Sequence, residues 1–343
     1  MRQKANAGDD LEPKLWIIKW QAFLSKPLHS DLLASMFMFY LPIMITGCLF
    51  QAQYQYRIFS NGVLLALLWI AIAPLLIHDA LKSISSFFTE HKHVFRNPEE
   101  WSTLHAHEIE RFQSSRYMLF GLPWAIATSV AVLYSIFRTA PLPIQVWAAV
   151  SFFLLFFLSS IGFYGVYVLI TLFQNVCAAD VLFDPFHPDK FGGISDFGRF
   201  AVRGTLYFSS GALVFPLAFE AIAAVSNGSD PLLMGIYFLV GFFIFALFAC
   251  FLIPVFQIKK LVDPEKDRII VASWAELNRM IAAFREKDTL DLKQGADILL
   301  YYYFHHMKLL EIKDYPWDFR VLLEFGLSFA VPIGVAILQI ILG

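Results

Sequence analysis

Seven stretches of this chain run apolar for close to, or more than, the roughly 20 residues a helix needs to cross about 30 Å of hydrocarbon. They cover 32–50, 61–77, 117–137, 146–173, 205–225, 232–253 and 321–342. The second is short and the last carries Glu324 close to one end, so a six-span count is the alternative. Polar segments separate the windows in alternation: short ones (QAQYQYRIFS, RTAPLPIQ, SNGSDP) and long ones at 78–116, 174–204 and 254–320.

The long segments have helical patterns of their own. In 78–116 the run RNPEEW breaks two helices: Asn97 can cap, Pro98 suits a first helical position, and Glu100 sits at the capping-box site. The second of these helices is expected to run on into the third span. In 254–320, Asp263 and Pro264 are expected to open a helix whose apolar residues Ile270, Trp274, Leu277, Ile281 and Phe284 step by four and three. The steps recur in Ala296, Leu300, Tyr303, Met307 and Leu310, which predicts an αα-hairpin able to self-associate through 263–313. Ahead of the first span, Trp16, Ile17, Trp20, Phe23 and Leu24 share one arc of a helix with lysines outside it, the pattern of a helix lying in the membrane interface.

Charge orients the spans. Of 26 Lys and Arg residues, the N-terminal arm and the three long segments hold all but Arg57 and Arg138. Positive residues favour the cytoplasmic side, so the expected topology is N-in and C-out. The expected class is an all-α integral membrane protein of the cell inner membrane, with about seven transmembrane helices and most of its extramembrane mass cytoplasmic. Composition agrees: 58% of residues are hydrophobic, 16% are charged, and the mean hydropathy is +0.61. A net charge of −2 gives no basic field for nucleic acid, leaving the lipid bilayer as the expected surrounding partner. The amino-terminal residues mix both charge signs without a cleavable-signal pattern, so the mature chain is expected to begin near Met1. Cys48, Cys177 and Cys250 lie far apart and read as small hydrophobes.

One segment departs from the apolar theme: FDPFHPDKFGG at 183–193, between the fourth and fifth spans. Asp184-Pro185 and His187-Pro188 force extended or turn geometry, Gly192 and Gly193 permit positive φ, and Ser195 or Asp196 can cap the next helix. The same residues allow an anion site, with free amides at Gly192 and Gly193 joined by Lys190, Arg199 and Arg203. They also allow a metal site on Asp184, His187 and Asp189, with Asp180 or Asp196 nearby. The His-Pro-Asp-Lys run is shared with J-domain co-chaperones, yet those need a free-standing helical domain where this chain has a short connection. The block also resembles the HPD-x-x-GG loop of uncharacterised bacterial multi-pass membrane proteins, through His187, Pro188, Asp189, Gly192 and Gly193. That resemblance implies a membrane family and no particular activity.

Small and polar residues inside the spans are the candidates for lining a pore: Ser159, Ser160, Gly162, Gly165, Gln174 and Asn175 on the fourth, Ser209 and Ser210 on the fifth. They equally suit close helix packing. Glu220 and Glu324 are the acids within spans, whereas ion-driven transporters usually carry ionisable groups near the midplane. No hydrolase, P-loop, metalloprotease or dinucleotide motif occurs, so no motif names a cofactor. The expected function is an oligomeric channel-like or transport-related protein regulated from the cytoplasm. The alternatives are a membrane-embedded sensor or scaffold coupling an anionic ligand or protein partner, and an enzyme acting on lipid through His187 and Asp189.

Overall fold

The computed structural model describes residues 15–343 except 180, 183, 185, 186, 188, 190, 226–230 and 286–291; beyond 307 it describes only 323, 326, 327, 330 and 334. Among the described residues the structure is all α, and six helices are long and apolar enough to cross a membrane: Asp31–Tyr54, Asn61–Glu90, Pro98–Ile136, Leu142–Ala178, Ser195–Ala224 and Tyr237–Ala283. Each expected window from the first to the sixth falls on one of them. The expected seventh, at 321–342 and including Glu324, lies almost wholly outside the described residues, as does the far end of the expected hairpin.

The chain opens with α1 (Trp16–Leu28). Its expected single apolar arc is divided in two. Leu15, Ile17, Ile18 and Gln21 are buried, while Trp20 and Phe23 stay exposed beside Lys19 and Lys26. The helix docks by one edge because Trp16 packs on Phe39 and Phe157, which turns Ile17 and Ile18 inward and the aromatic edge outward. An outward Trp–Phe edge flanked by lysines is the composition of a membrane–water boundary.

The first span joins α2 (Asp31–Ser35) to α3 (Leu41–Tyr54) through a π-helical turn, Met36–Tyr40. Pro42 is the cause: it has no N–H to donate, and the Leu41 amide reaches back five residues to Met36 O. Next come α4 (Asn61–Glu90) and α5 (Pro98–Phe112). As expected, Asn97 caps α5, its Oδ1 accepting from the Glu99 and Glu100 amides at 3.0 and 3.5 Å. Unlike the expectation, α5 does not run unbroken into the third span. It stops at Phe112, and α6 (Tyr117–Ile136) begins after a turn through Ser114 and Ser115.

Helix α7 (Leu142–Ala178) is the central post, packed on α3, α4, α5, α6, α8 (Ser195–Ser209) and α10 (Pro231–Arg285). The fifth span is α8, a 3-10 turn at Ser210–Val214, and α9 (Phe215–Val225). Helix α10 corrects another expectation: Asp263 and Pro264 do not start a helix but lie inside one that has run continuously from Pro231. It packs against α11 (Leu292–Tyr301).

Helix packing is strongly aromatic. Phe163 touches Phe208, Phe242 and Phe243, and Phe88, Phe95 and Trp101 stack where α4 meets α5. Such pairs contribute about 0.5–1.5 kcal/mol each beyond the area they bury. They let helices without strong polar interfaces hold a fixed register.

Candidate functional site

The ends of α4, α5, α7 and α8 that carry the long connections form one cross-linked layer, called here the loop side. Its centre is Asp189. The Asp189 Oδ1 accepts from the amides of Phe191 and Gly193 at 2.9 and 3.1 Å, and Oδ2 accepts from the Ser195 amide at 3.1 Å. His187 Nδ1 lies 2.9 Å from Oδ1. A carboxylate offers about four lone-pair positions, and here Oδ1 is crowded while Oδ2 takes the Ser195 amide alone. Gly192 and Gly193 make this possible with φ of 72° and 88°, which aim successive amides into one concavity.

Of the amides expected to cradle an external anion, Gly193 and the helix start at Ser195 hold the chain's own carboxylate, joined by Phe191. Burial works to raise the Asp189 pKa, but the three amides and His187 outweigh it and hold the group below the ordinary carboxylate range. The same carboxylate caps α8, whose first residue is Ser195; neither Ser195 nor Asp196, the expected caps, supplies the cap. The loop is closed further by Asp184 N donating to Gly192 O at 3.0 Å and by His187 N donating to Asp184 O at 3.1 Å.

The remaining loop candidates point elsewhere. Arg199 pairs with Asp196 at 2.9 Å on the surface, and Arg203 donates to Ser83 Oγ at 3.2 Å across to α4. Neither bonds to the Asp189 cluster in the described geometry. Lys190 and Asp180 lie outside the described residues. Among the described residues, no group of three His, Cys, Asp or Glu side chains converges in a way that could hold a metal ion.

The loop is tied to the preceding hairpin. Leu182 N donates to Val94 O at 2.6 Å, and Phe95 and Val181 form an antiparallel bridge. His91, buried, directs Nδ1 to Phe87 O at 2.8 Å and Nε2 to Asp196 Oδ2 at 3.4 Å. Both ring nitrogens thus face acceptors. His105 stacks on Phe88, while His93 and His107 are exposed.

A second tie on the same side was not foreseen. Glu108, fully buried, accepts from Arg111 Nη1 at 3.0 Å and from Asn175 Nδ2 at 2.8 Å, and Tyr164 donates to Arg111 O at 2.8 Å. Asn175, a pore-lining candidate, thereby binds α7 to α5. Ser159, Ser160, Ser209 and Ser210 each donate to a carbonyl three or four residues back. Gly162 and Gly165 face Phe208 and Phe112, and Gln174 is exposed. At the opposite side of the bundle, Glu220 accepts from Ser60 Oγ and from Gly62 N at 2.8 Å, capping α4 from α9. A Cβ at Gly62 would sit 2.6 Å from that carboxylate, so this approach requires glycine.

Sequence periodicity could not reveal Glu108 or Glu220 as structural ties, because their partners lie 67 and 160 residues away. A weak signal existed for Glu108: an acid on the apolar side of an amphipathic helix, between Leu104 and Ile109. Compared with family models, curated proteins and solved structures, the chain matches none. The protein is a polytopic α-helical membrane protein by its fold, and its function must be read from its own geometry.

Proposed function

We propose that this protein is a membrane-embedded scaffold or sensor, in which the spans hold a rigid loop-side layer and α10 with α11 presents a partner-binding face away from the bilayer. The carrying observation is α10 itself. From Pro254 to Arg285 it continues for roughly 48 Å at 1.5 Å per residue beyond the apolar window that ends near residue 253. On that extension Val271 and Trp274 are exposed, and on α11 and the turn after it Leu299, Leu300, Tyr303 and Phe304 are exposed. Apolar surface on this scale outside a bilayer marks an interaction site. Self-association of this face, as expected for 263–313, is the simplest use, since every copy carries it.

A channel-like role fits less well. The serines among the pore candidates donate to carbonyls of their own helices and Asn175 donates to Glu108, which leaves these side chains poorly placed to replace an ion's hydration.

The test uses the full-length protein in membranes. Val271→Asp with Tyr303→Asp should lower the number of copies per complex, counted by photobleaching and by cross-linking, while leaving the detergent-solubilised chain folded. Reconstituted protein should pass no ions. Flux through the wild type, or an unchanged copy number with no other protein lost from the complex, would overturn the proposal.

A further inference from the structure

Two cavities of about 120 and 90 Å³ adjoin in the middle of the bundle and share Trp69, Gly162, Tyr207 and Phe208 as common wall. Together they make one apolar cleft between α4, α7, the fifth span and α10. One lobe runs along α4 from Trp69 to Ser83, a rise of roughly 21 Å at 1.5 Å per residue. That rise is the spacing of the lining residues; the lobe itself, about 90 Å³, admits a stretch of chain a few methylenes long. Where the two lobes meet, Trp69 Nε1 donates to Ser210 Oγ at 3.3 Å, while Trp124 Nε1 in the wall of the other lobe has no hydrogen-bond partner among the described residues. Space lined this way excludes water and accepts apolar matter. In a bilayer the apolar matter at hand is an acyl chain.

The loop-side end of the cleft is chemically different. Asp79 and Ser83 stand one turn apart on α4, and Arg203 and Tyr207 stand one turn apart on α8. They bond crosswise, Tyr207 OH donating to Asp79 and Arg203 to Ser83 Oγ at 3.2 Å. Ser83 and Tyr207 belong to the cleft wall, while Asp79 and Arg203 are exposed beside it. The mouth therefore holds one cation and one anion about a helical turn apart, at the level where spans give way to the long connections.

We infer that this cleft is a phospholipid site: one acyl chain lies between α4, α7 and α8, and a zwitterionic headgroup sits at the mouth. Its phosphate meets Arg203 and its primary ammonium meets Asp79. The charge pair selects the headgroup. An anionic lipid would satisfy Arg203 but meet Asp79 with like charge, whereas a phosphate with a primary ammonium satisfies both at close range. Tail binding follows from area burial, and headgroup choice follows from the paired charges.

Gly162 and Gly165 allow a test that fills the cleft. A Cβ at either position meets only one ring carbon, at 3.9 Å, so a larger side chain can grow into the cavity. Full-length protein in mild detergent is supplied with ethanolamine phospholipid, glycerol phospholipid of the same chains, or alkyl phosphate, and retained lipid is counted by native mass spectrometry. The wild type should keep one ethanolamine phospholipid per chain in preference to the other two. Gly162→Leu and Gly165→Leu should each lower retention by at least about tenfold, the loss expected for two methylenes denied burial. Asp79→Asn should shift preference toward the anionic lipid, and Arg203→Gln should weaken retention of all three.

Should the glycine variants fail to fold, wild-type protein labelled with a chain-end photoreactive ethanolamine phospholipid replaces them, with cross-links expected on 69–84 and 158–169. Equal retention of the three lipids, retention unaffected in folded glycine variants, or cross-links confined to the outer bundle surface would overturn the assignment.

Discussion

Two helix starts on opposite sides of the bundle are completed by carboxylates, and by opposite strategies. Helix α8 is capped from within, by Asp189, six residues before the amide of Ser195 that it bonds. Helix α4 has a local cap in Ser60, whose Oγ accepts from Val63 N at 3.2 Å, and is completed from α9 by Glu220, 158 residues beyond Gly62. The near cap makes a self-contained loop that can form as soon as its own residues are synthesised. The distant cap can form only once two spans have met, so it reports assembly of the bundle. Equal chemistry thus does two jobs: one fixes local shape, the other fixes the register between spans.

The comparison is broken most severely at Glu108, which works at a distance and is fully buried. Glu108→Ala leaves Arg111 and Asn175 without their partner and should cost about 3–5 kcal/mol, measured by denaturant unfolding in mixed micelles, with Asn175→Ala recovering part of the loss in a double-mutant cycle. Asp189→Ala orphans three amides and should cost about 2–3 kcal/mol, seen first as faster hydrogen exchange at Phe191, Gly193 and Ser195. Exchange at Gly62 should not change. Glu220→Gln keeps shape but weakens two bonds, and should cost about 1–2 kcal/mol with the exchange pattern reversed. If either variant loosened both sites equally, the distinction between local and assembly caps would fail.

Acid sharpens the contrast. The Asp189 pKa is held below its ordinary value, so its contribution is present above the unfolded value of about 3.9 and is lost as pH falls through the lower folded value. Exchange protection at Gly193 should hold steady from neutral pH down to about 4 and collapse only below. The smallest effect belongs to Arg199→Ala, which removes an exposed pair and should change stability by no more than about 0.5 kcal/mol.

Legibility in the sequence followed the same division. The six spans, the break at Asn97-Pro98 and the positive φ of Gly192 and Gly193 depend on neighbours within a few residues, and residue pattern reveals them. The role of Asp189 was half legible: its loop was marked as rigid and ready for an anion, but which anion fills it depends on the path of the backbone. Glu108, Glu220 and the crossed set of Asp79, Ser83, Arg203 and Tyr207 were illegible, because each is defined by how spans pack. The helix start expected at Asp263 misled for a physical reason. A proline at that spacing opens many helices, yet within α10 both Pro254 and Pro264 are carried by the turns around them.

The continuity of α10 has a mechanical consequence. A single rod that is clamped among aromatic rings near Phe243, stays buried as far as Val262 and projects beyond it behaves as a lever. A tilt of about 5° at the clamp carries the far end, roughly 35 Å beyond Val262 at 1.5 Å per residue, through about 3 Å. Motions too small to open a gap between spans are therefore large enough at the tip to make or break a side-chain contact, and the two prolines are where that stiffness could be tuned.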